Sequence, residues 1–174
     1  MLIKGGGYLD IYVVDTSALI RDMSLLDKIH DGEIIVHTTV LEELDNLKQK
    51  NNSTGMCARK IGDRLYELSK RGDLFQGIRV GTKRIRFDSS SPDPQYLRPG
   101  YSAKKKDKLL LCIVKGLKDK TANRITLLTG DKFFLLKAAE DDIEVEFVKK
   151  PHSHKRKKSP HKGYFNNQLS VMRR

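Results

Sequence analysis

The sequence predicts a three-layer α/β/α fold built on a central, mainly parallel sheet. Short runs rich in β-branched residues alternate along the chain with stretches of helical spacing, the pattern of strand–helix–strand units. The run at residues 11–14 is nearly all apolar, as expected for a strand buried on both faces. Asp15 and Asp131 come just after two of these runs, at the sheet edge where α/β proteins bind their ligands.

Local signals define each element. The predicted strands cover residues 11–14, 33–36, 124–129 and 143–148. The predicted helices cover residues 40–49, 56–70, 104–118 and 131–140, with a short helical segment between the first two strands. Asp15, Thr16 and Ser17 offer capping side chains for that short segment, and Thr38 or Thr39 is expected to cap the helix that follows the second strand.

Residues 74–101 interrupt the alternation and are predicted to be an insertion. Two β-rich triplets, 78–80 and 85–87, flank a Gly-Thr-Lys-Arg turn and predict a hairpin. Residues 89–100 contain three prolines, which predicts a loop. Tyr96 and Tyr101 lie in this loop beside basic residues, where stacking on nucleobases and simple packing of the loop are both open.

The net positive charge is concentrated at the C-terminal end. Of the 34 bases, nine lie in residues 149–174 without any acid, which leaves 25 bases against all 22 acids elsewhere. This stretch is poor in apolar residues and contains two prolines, so it is predicted to be a disordered tail that follows a domain of residues 1–148. A dense basic run binds phosphates by counterion release, which favours nucleic-acid contact over a purely solubilising role. The densest part is Lys155, Arg156, Lys157 and Lys158.

Composition argues against a membrane-spanning or secreted protein. Apolar residues make up 38% of the chain, and no apolar run approaches the roughly 18 residues that a membrane span needs. The N-terminal residues lack the apolar segment of a secretory signal, so a cytoplasmic location is expected. Cys57 and Cys112 are the only cysteines and lie in helical patterns without CxxC spacing, so they are expected to be reduced and mostly buried.

Four acidic residues are candidates for one metal site. Asp15 and Asp131 each follow the carboxyl end of a predicted strand. Glu43 borders the apolar stripe of its helix when side chains are placed about every 100°, whereas Glu42 faces water. Asp107 opens the apolar run 109–114, which indicates a buried helix whose first turn meets the sheet edge.

Each of these acids alone has a simpler explanation. Asp15 and Asp131 could be helix N-caps, Asp107 a first-turn residue favoured by the helix dipole, and Glu43 a surface residue. Gathered on one rim, however, the carboxylates would raise one another's pKa values and destabilise the fold unless a cation neutralised them. Because all-oxygen ligands select hard ions, Mg²⁺ or Mn²⁺ is the expected cofactor.

At these residues the chain resembles a known family. The segments VVDTSALI at residues 13–20, TVLEELDNLK at 39–48 and LLTGDK at 127–132 look like the opening, Glu-bearing and late motifs of PIN-domain nucleases. In particular they resemble the PIN domain that precedes the ATPase in PhoH-type proteins. The resemblance spans about residues 11–148, and VLEELDNLK is its most specific part.

The resemblance implies a metal-dependent ribonuclease, acting as an endonuclease that hydrolyses phosphodiester bonds of single-stranded RNA. Asp15, Glu43, Asp107 and Asp131 would hold one or two Mg²⁺ or Mn²⁺ ions. Ser17 and Thr129 match the polar positions that support the acids. The resemblance is also compatible with a homodimer, or with an inhibitor or ATPase partner.

Basic residues lie next to the proposed site in the sequence. They could steer the phosphate backbone of a nucleic acid, although a lysine run is just as often a solvated face. These bases are Lys104, Lys105, Lys106 and Lys132.

Two functions of other classes stay open. The fold could serve as a basic RNA- or DNA-binding module without catalysis, which the retention of all four acids argues against. A phosphatase or phosphotransferase of the haloacid-dehalogenase type has similar segments around Asp15 and Asp131. That chemistry needs a second Asp two residues after the nucleophile, and residue 17 is Ser.

Overall fold

A computed structural model describes residues 9–96 and 106–151, apart from the side chains of residues 94 and 106–108. Its strands are β1 (Ile11–Val14), β2 (Glu33–His37), β3 (Ile78–Val80), β4 (Lys83–Asp88), β5 (Ile125–Thr129) and β6 (Glu144–Phe147). Its helices are α1 (Thr16–Arg21), α2 (Leu25–Lys28), α3 (Thr38–Leu47), α4 (Ser53–Ser69), α5 (Lys106–Lys120) and α6 (Lys132–Glu140), with a 3₁₀ turn at Pro94–Tyr96. The boundaries differ from the predicted ones by a few residues, as expected where helix and strand ends fray.

The strands form one six-stranded sheet in the order β3-β4-β2-β1-β5-β6. In the described ranges the pairs β2–β4, β1–β2, β1–β5 and β5–β6 are parallel, and β3 pairs antiparallel with β4. The sheet therefore confirms the predicted mainly parallel α/β architecture. Because β1 and β5 are parallel neighbours, their carboxyl ends lie side by side at one edge of the sheet.

Helices cover both faces of the sheet, because successive side chains of the buried strands point in opposite directions. Val14, Ile34 and Leu128 pack into a core that also contains residues of α1, α2, α3 and α4. Val13 and Leu127 point to the other face, where they pack against residues of α5 and α6. Each central strand thus stabilises two helical layers, which is why its sequence is a continuous apolar run rather than an alternating one.

The cap of α3 differs from the predicted one. The helix begins at Thr38, and the side chain of His37 accepts a hydrogen bond from the backbone N–H of Thr39 at 3.2 Å. Nε2 of His37 lies 3.0 Å from the carbonyl oxygen of Ser90, which fixes the ring in the capping orientation. The prediction of a Thr38 or Thr39 cap was wrong because a contact with a residue far along the chain decides the position of the imidazole.

The hairpin at residues 78–88 is part of the central sheet. β4 pairs in parallel with β2, and Arg86 Nε lies 3.1 Å from Glu33 Oε1 across that pair. Lys83 is buried and donates to the carbonyl oxygens of Leu26 and Ile29, the latter at 2.7 Å, so it caps the end of α2. Lys83 and Arg86 are therefore structural bases.

The two cysteines, Cys57 and Cys112, are both free thiols. Cys112 is buried and Cys57 half-buried, as predicted. Tyr96 donates through its hydroxyl to Asp119, so it packs its loop segment onto α5. Tyr101 lies outside the described residues.

Among the helices of the described ranges, none is both long and apolar enough to cross a lipid bilayer.

Candidate active site

Two of the predicted acids follow neighbouring strands at the carboxyl edge of the sheet. β1 and β5 are parallel neighbours with Val14 paired to Leu128, so the residues after them emerge together. The backbone N–H of Asp15 donates to the Leu128 carbonyl oxygen at 2.9 Å, which extends the pairing to Asp15 itself. Asp131 follows two residues after the end of β5, at the N-cap of α6.

The Asp15 carboxylate is held by two hydroxyl groups. Thr129 Oγ1 donates to Asp15 Oδ2 at 2.9 Å, and the Ser17 hydroxyl donates to the same oxygen. Asp15 is only 9% exposed and Thr129 is fully buried. Although Asp15 occupies the N-cap position of α1, its side chain makes no capping hydrogen bond. The simple explanation of Asp15 as a helix cap is therefore wrong, and its carboxylate is oriented from α1 and β5 instead.

The approach of α1 to the turn after β5 depends on Gly130. Its backbone N–H donates to Ser17 Oγ at 2.8 Å. A Cβ atom at position 130 would lie 2.6 Å from the Ser17 carbonyl oxygen and 2.9 Å from Arg21 Nε. Only glycine permits this distance without displacing α1. Ser17 and Thr129 therefore both contact Asp15 at this point, and the supporting role that the family resemblance implies for them stays a prediction.

Glu43 joins the site through Thr16, which the sequence offered only as a capping residue. Thr16 is 2% exposed and donates through Oγ1 to Glu43 Oε2 at 2.9 Å. Because Thr16 directly follows Asp15, this bond ties α3 to the end of β1. Glu43 is half-buried and Glu42 exposed, as the helical geometry predicted. The local signal for Thr16 was weak, because a threonine beside a strand is common in any fold.

Asp131 does cap its helix. Oδ1 accepts from the backbone N–H of Phe133 at 2.8 Å, so one carboxylate oxygen is used at the start of α6. The backbone N–H of Asp131 donates to Thr129 Oγ1 at 3.1 Å. Thr129 thus connects Asp15 to Asp131. For Asp131 the capping explanation and a role at the site are compatible, since a carboxylate has two oxygens and several acceptor positions.

The remaining predicted residues fall wholly or partly outside the description. The backbone places Asp107 as the second residue of α5, and the apolar run after it is buried, as predicted. The side chains of Asp107 and Lys106 are outside the described part of the chain, as are the whole of Lys104 and Lys105. The tail residues Lys155, Arg156, Lys157 and Lys158 are outside it as well. Lys132 is described and exposed, directly beside Asp131.

The donor chemistry of the three described acids fits a hard cation. Asp15, Glu43 and Asp131 offer only oxygen ligands, which suit Mg²⁺ or Mn²⁺. Among the described side chains, which leave out Asp107, no three His, Cys, Asp or Glu residues come close enough together to hold a metal ion. The three acids are therefore candidate ligands by their chemistry and their position on the sheet, and the described side chains do not form an assembled metal site.

A cavity of about 570 Å³ adjoins the acids on the α1 side. Ser17 and Gly130 form its boundary with the site, and its wall carries the two bases Arg21 and Lys150 and one acid, Asp22. The guanidinium of Arg21 lies over the Phe147 ring, 4.9 Å from its centroid. Arg21 was not predicted from the sequence, where a lone arginine at the end of a short helix gave no functional signal.

This geometry defines an α/β protein with an acidic site at the carboxyl edge of a parallel sheet, supported by hydroxyl groups. A family model described as PIN domain matches residues 12–149. The chain therefore belongs to the PIN domain family, a family of nuclease type whose members typically use divalent metals.

Two curated relatives support this assignment. Protein PhoH2 of Bacillus subtilis (strain 168) is 28% identical over 110 residues, which cover 62% of this chain and 24% of the relative. Protein PhoH2 of Thermobispora bispora is 28% identical over 136 residues, which cover 78% of this chain and 31% of the relative. The chain thus spans about a quarter to a third of the length of these proteins.

A solved structure has the same fold. It is described as a domain of a functionally unknown protein from Methanocaldococcus jannaschii DSM 2661. It superposes with a TM-score of 0.51 at 20% identity, covering 80% of this chain and 91% of that one.

Proposed function

We propose that this protein is a metal-dependent ribonuclease that cleaves single-stranded RNA internally by hydrolysis of phosphodiester bonds. The observation that supports the proposal most directly is the hydrogen-bonded connection between the acids. Thr16, the residue after Asp15, donates a hydrogen bond to Glu43. Thr129 donates to the Asp15 carboxylate and accepts the backbone N–H of Asp131. Glu43 and Asp15 each accept a hydrogen bond from a buried threonine hydroxyl, a contact that neither a helix cap nor a surface carboxylate requires.

The residues of the chain prepare the site for a cation and a phosphate. Asp15, Glu43 and Asp131 would hold Mg²⁺ or Mn²⁺, with Asp107 as a fourth ligand in the proposal. Such an ion supplies neutralisation of charge on the phosphate oxygens and activation of water for in-line attack. Ser17 and Thr129 fix the Asp15 carboxylate in one orientation before substrate arrives, so no reorganisation of that group is required during the reaction.

Basic residues around the acids attract the phosphates of the substrate. Lys132 lies next to Asp131, and Arg21 and Lys150 line the adjoining cavity. A phosphate chain that passes the acids meets these cations, which attract it by charge and not by base sequence. In the proposal, Lys104, Lys105, Lys106 and the basic tail extend this attraction.

The alternative is a nucleic-acid-binding module that no longer cleaves. It predicts that RNA binding depends on the basic residues and is indifferent to the carboxylates. The buried hydroxyl contacts to Asp15 would then be only structural.

The test is cleavage of circular and linear single-stranded RNA in Mg²⁺ or Mn²⁺, using the wild type and the variants Asp15→Asn and Asp131→Asn. Both substitutions keep the size of the side chain. Circular dichroism is used to check that each variant is folded. Glu42→Gln is the matched control, because it removes one exposed carboxylate next to Glu43.

We expect the wild type and the control to cut the circle only when metal is added, and both Asn variants to be inactive. Equal RNA binding by all four proteins without any cleavage would favour the binding module. Cleavage of linear RNA only would restrict the activity to an exonuclease.

A further inference from the structure

Phe133 is the most exposed of the large apolar side chains in the described ranges. It is 73% exposed, whereas the next residue, Phe134, is 1% exposed and lies in the core. The fold therefore uses one phenyl ring of this pair for stability and leaves the other in water. An exposed ring of this size gains nothing for folding, since the hydrophobic contribution requires burial.

The position of Phe133 relates it to the acids. Its backbone N–H is the group that donates to Asp131 Oδ1 at 2.8 Å, so it lies in the first turn of α6. In an α-helix the Cα–Cβ bond tilts toward the N-terminus. The Cα–Cβ bond of Phe133 is thus tilted toward the end of α6 that meets the carboxyl edge of the sheet. Lys132, directly before it, adds a positive charge.

We propose that Phe133 is a stacking platform for a nucleobase of single-stranded RNA next to the phosphate that is cleaved. This inference rests on the proposed function and adds a substrate-positioning residue to it. Aromatic rings bind bases through their faces without reading the sequence, and neighbouring cations hold the phosphates. The combination of an exposed ring and an adjacent exposed lysine matches that form of binding.

A protein partner fits this surface less well. On α6 the exposed apolar neighbour of Phe133 is Leu136, which is 63% exposed and lies on the same face about 60° away. A phenyl ring provides roughly 150–250 Å² of contact. One ring and one leucine together fall well below the roughly 800 Å² that each partner buries in a stable complex. A single base, in contrast, needs only one face of the ring.

The chain offers a direct test, because its 174 residues contain no tryptophan. Phe133→Trp introduces one indole at the proposed platform, and Leu136→Trp introduces one on the same helix face, about 4.5 Å further along the axis. Each full-length variant is titrated with a short single-stranded RNA, and with an abasic ribose-phosphate chain of the same length, in the absence of divalent metal. Stacked bases quench indole emission, whereas a phosphate chain without bases does not.

We expect RNA to quench the emission of Phe133→Trp strongly and that of Leu136→Trp weakly, and the abasic chain to quench neither. In a parallel measurement, Phe133→Ala should weaken RNA binding by roughly 5- to 150-fold, the range for one stacked base, and should raise KM more than it lowers kcat. Phe133→Tyr should restore binding. Leu136→Ala should leave both quantities near the wild-type values.

The outcomes separate this proposal from the proposed function. If the wild type cuts RNA but the indole of Phe133→Trp is not quenched and Phe133→Ala binds normally, the stacking role is wrong and the nuclease proposal stands. If RNA quenches Phe133→Trp but is never cut by the wild type, the platform stands and the catalytic proposal fails. If no variant binds RNA and the wild type cuts none when metal is added, both are wrong. If the emission of Phe133→Trp changes with protein concentration alone, the ring contacts a second copy of the chain and the nucleobase proposal is wrong.

Discussion

Thr129 donates a hydrogen bond to Asp15, with 2.9 Å between Oγ1 and Oδ2, across 114 residues of sequence. The same oxygen of Thr129 accepts the backbone N–H of Asp131 at 3.1 Å. One buried hydroxyl therefore sets the orientation of one acid and the start of the segment that carries another.

Replacement of Thr129 by Val keeps the shape of the side chain and removes the hydroxyl. Asp15 then loses one of its two hydroxyl donors inside a nearly buried site. Hydrogen bonds to charged groups contribute about 1.5–3 kcal/mol, so the free energy of unfolding of the metal-free protein should fall by about that amount. Urea denaturation in the presence of a chelator measures this free energy of unfolding. Thr129→Ser should recover most of the loss; equal denaturation midpoints for Thr129→Val and wild type would contradict the role of this hydroxyl.

Glu43→Gln and Glu42→Gln make the same change of charge at adjacent positions of α3. Glu43 is tied to Thr16, whereas Glu42 is exposed. We expect RNA cleavage by Glu43→Gln to fall by at least about 100-fold, equivalent to about 2.7 kcal/mol in the activation barrier. Glu42→Gln should cleave at the wild-type rate. The measurement is the initial rate of RNA cleavage at saturating metal. A similar loss of rate in both variants would point to a general effect of charge on α3.

Asp131 has two separable roles. Asn caps helices about as well as Asp, so Asp131→Asn should change the free energy of unfolding by less than about 0.5 kcal/mol, whereas Asp131→Ala should lose roughly 0.5–2 kcal/mol. Both variants should lose Mn²⁺ affinity, because neither retains the carboxylate. Thermal denaturation and calorimetric titration with Mn²⁺ measure the two roles. Normal Mn²⁺ binding by Asp131→Asn would restrict Asp131 to capping.

The basic tail should add to RNA affinity through direct contacts of its basic side chains with phosphates. Each phosphate contact contributes a slope of about −0.7 to the dependence of log K on log salt for a single strand. Replacing both Lys157 and Lys158 by Gln should therefore reduce the magnitude of that slope by about 1.4. Lys60 and Lys70, exposed on α4 and at its C-terminal end, form the matched control pair. Equal slopes for the two double variants would mean that the tail acts only through net charge.

The contact between Tyr96 and Asp119 should make stability depend on pH in alkaline solution. The hydrogen bond to Asp119 raises the pKa of Tyr96 from 10.0 to about 12. Between these pH values the unfolded chain releases the phenolic proton and the folded chain retains it. This stabilisation is thus complete below pH 10 and decreases as pH rises toward 12.

Tyr96→Phe should lack this part of the pH dependence, measured as the free energy of unfolding on both sides of pH 10. Tyr66→Phe, which leaves the contact with Asp119 intact, should keep it. Parallel curves for wild type and Tyr96→Phe would mean that the hydrogen bond does not persist in solution.

Much of the fold was predictable because its signals are local. The apolar run before Asp15 indicated a strand buried on both faces, and the structure places Val13 and Val14 in cores on opposite sides of the sheet. The apolar stripe of α3 distinguished Glu43 from Glu42 without any knowledge of the partner surface. In both cases, the periodicity of one element was enough.

The tertiary structure decided which acid caps a helix and which does not. Asp15 and Asp131 look alike in sequence, since each follows a strand and precedes a helix. Asp131 caps α6, whereas the Asp15 carboxylate turns to Ser17 and Thr129. The choice depends on a hydroxyl that comes from another strand, which no local pattern encodes.

Tertiary structure likewise decided the place of the hairpin that the sequence predicted as an insertion. Its turn and its two strands were visible locally, but the pairing of β4 with β2 was not. The sequence by itself determined the identity of the elements and the set of acids, because strand and helix periodicities act over a few residues. The partners of Asp15, Glu43 and β4 were determined only on folding, because hydrogen bonds between distant segments form where the packed sheet brings their donors and acceptors together.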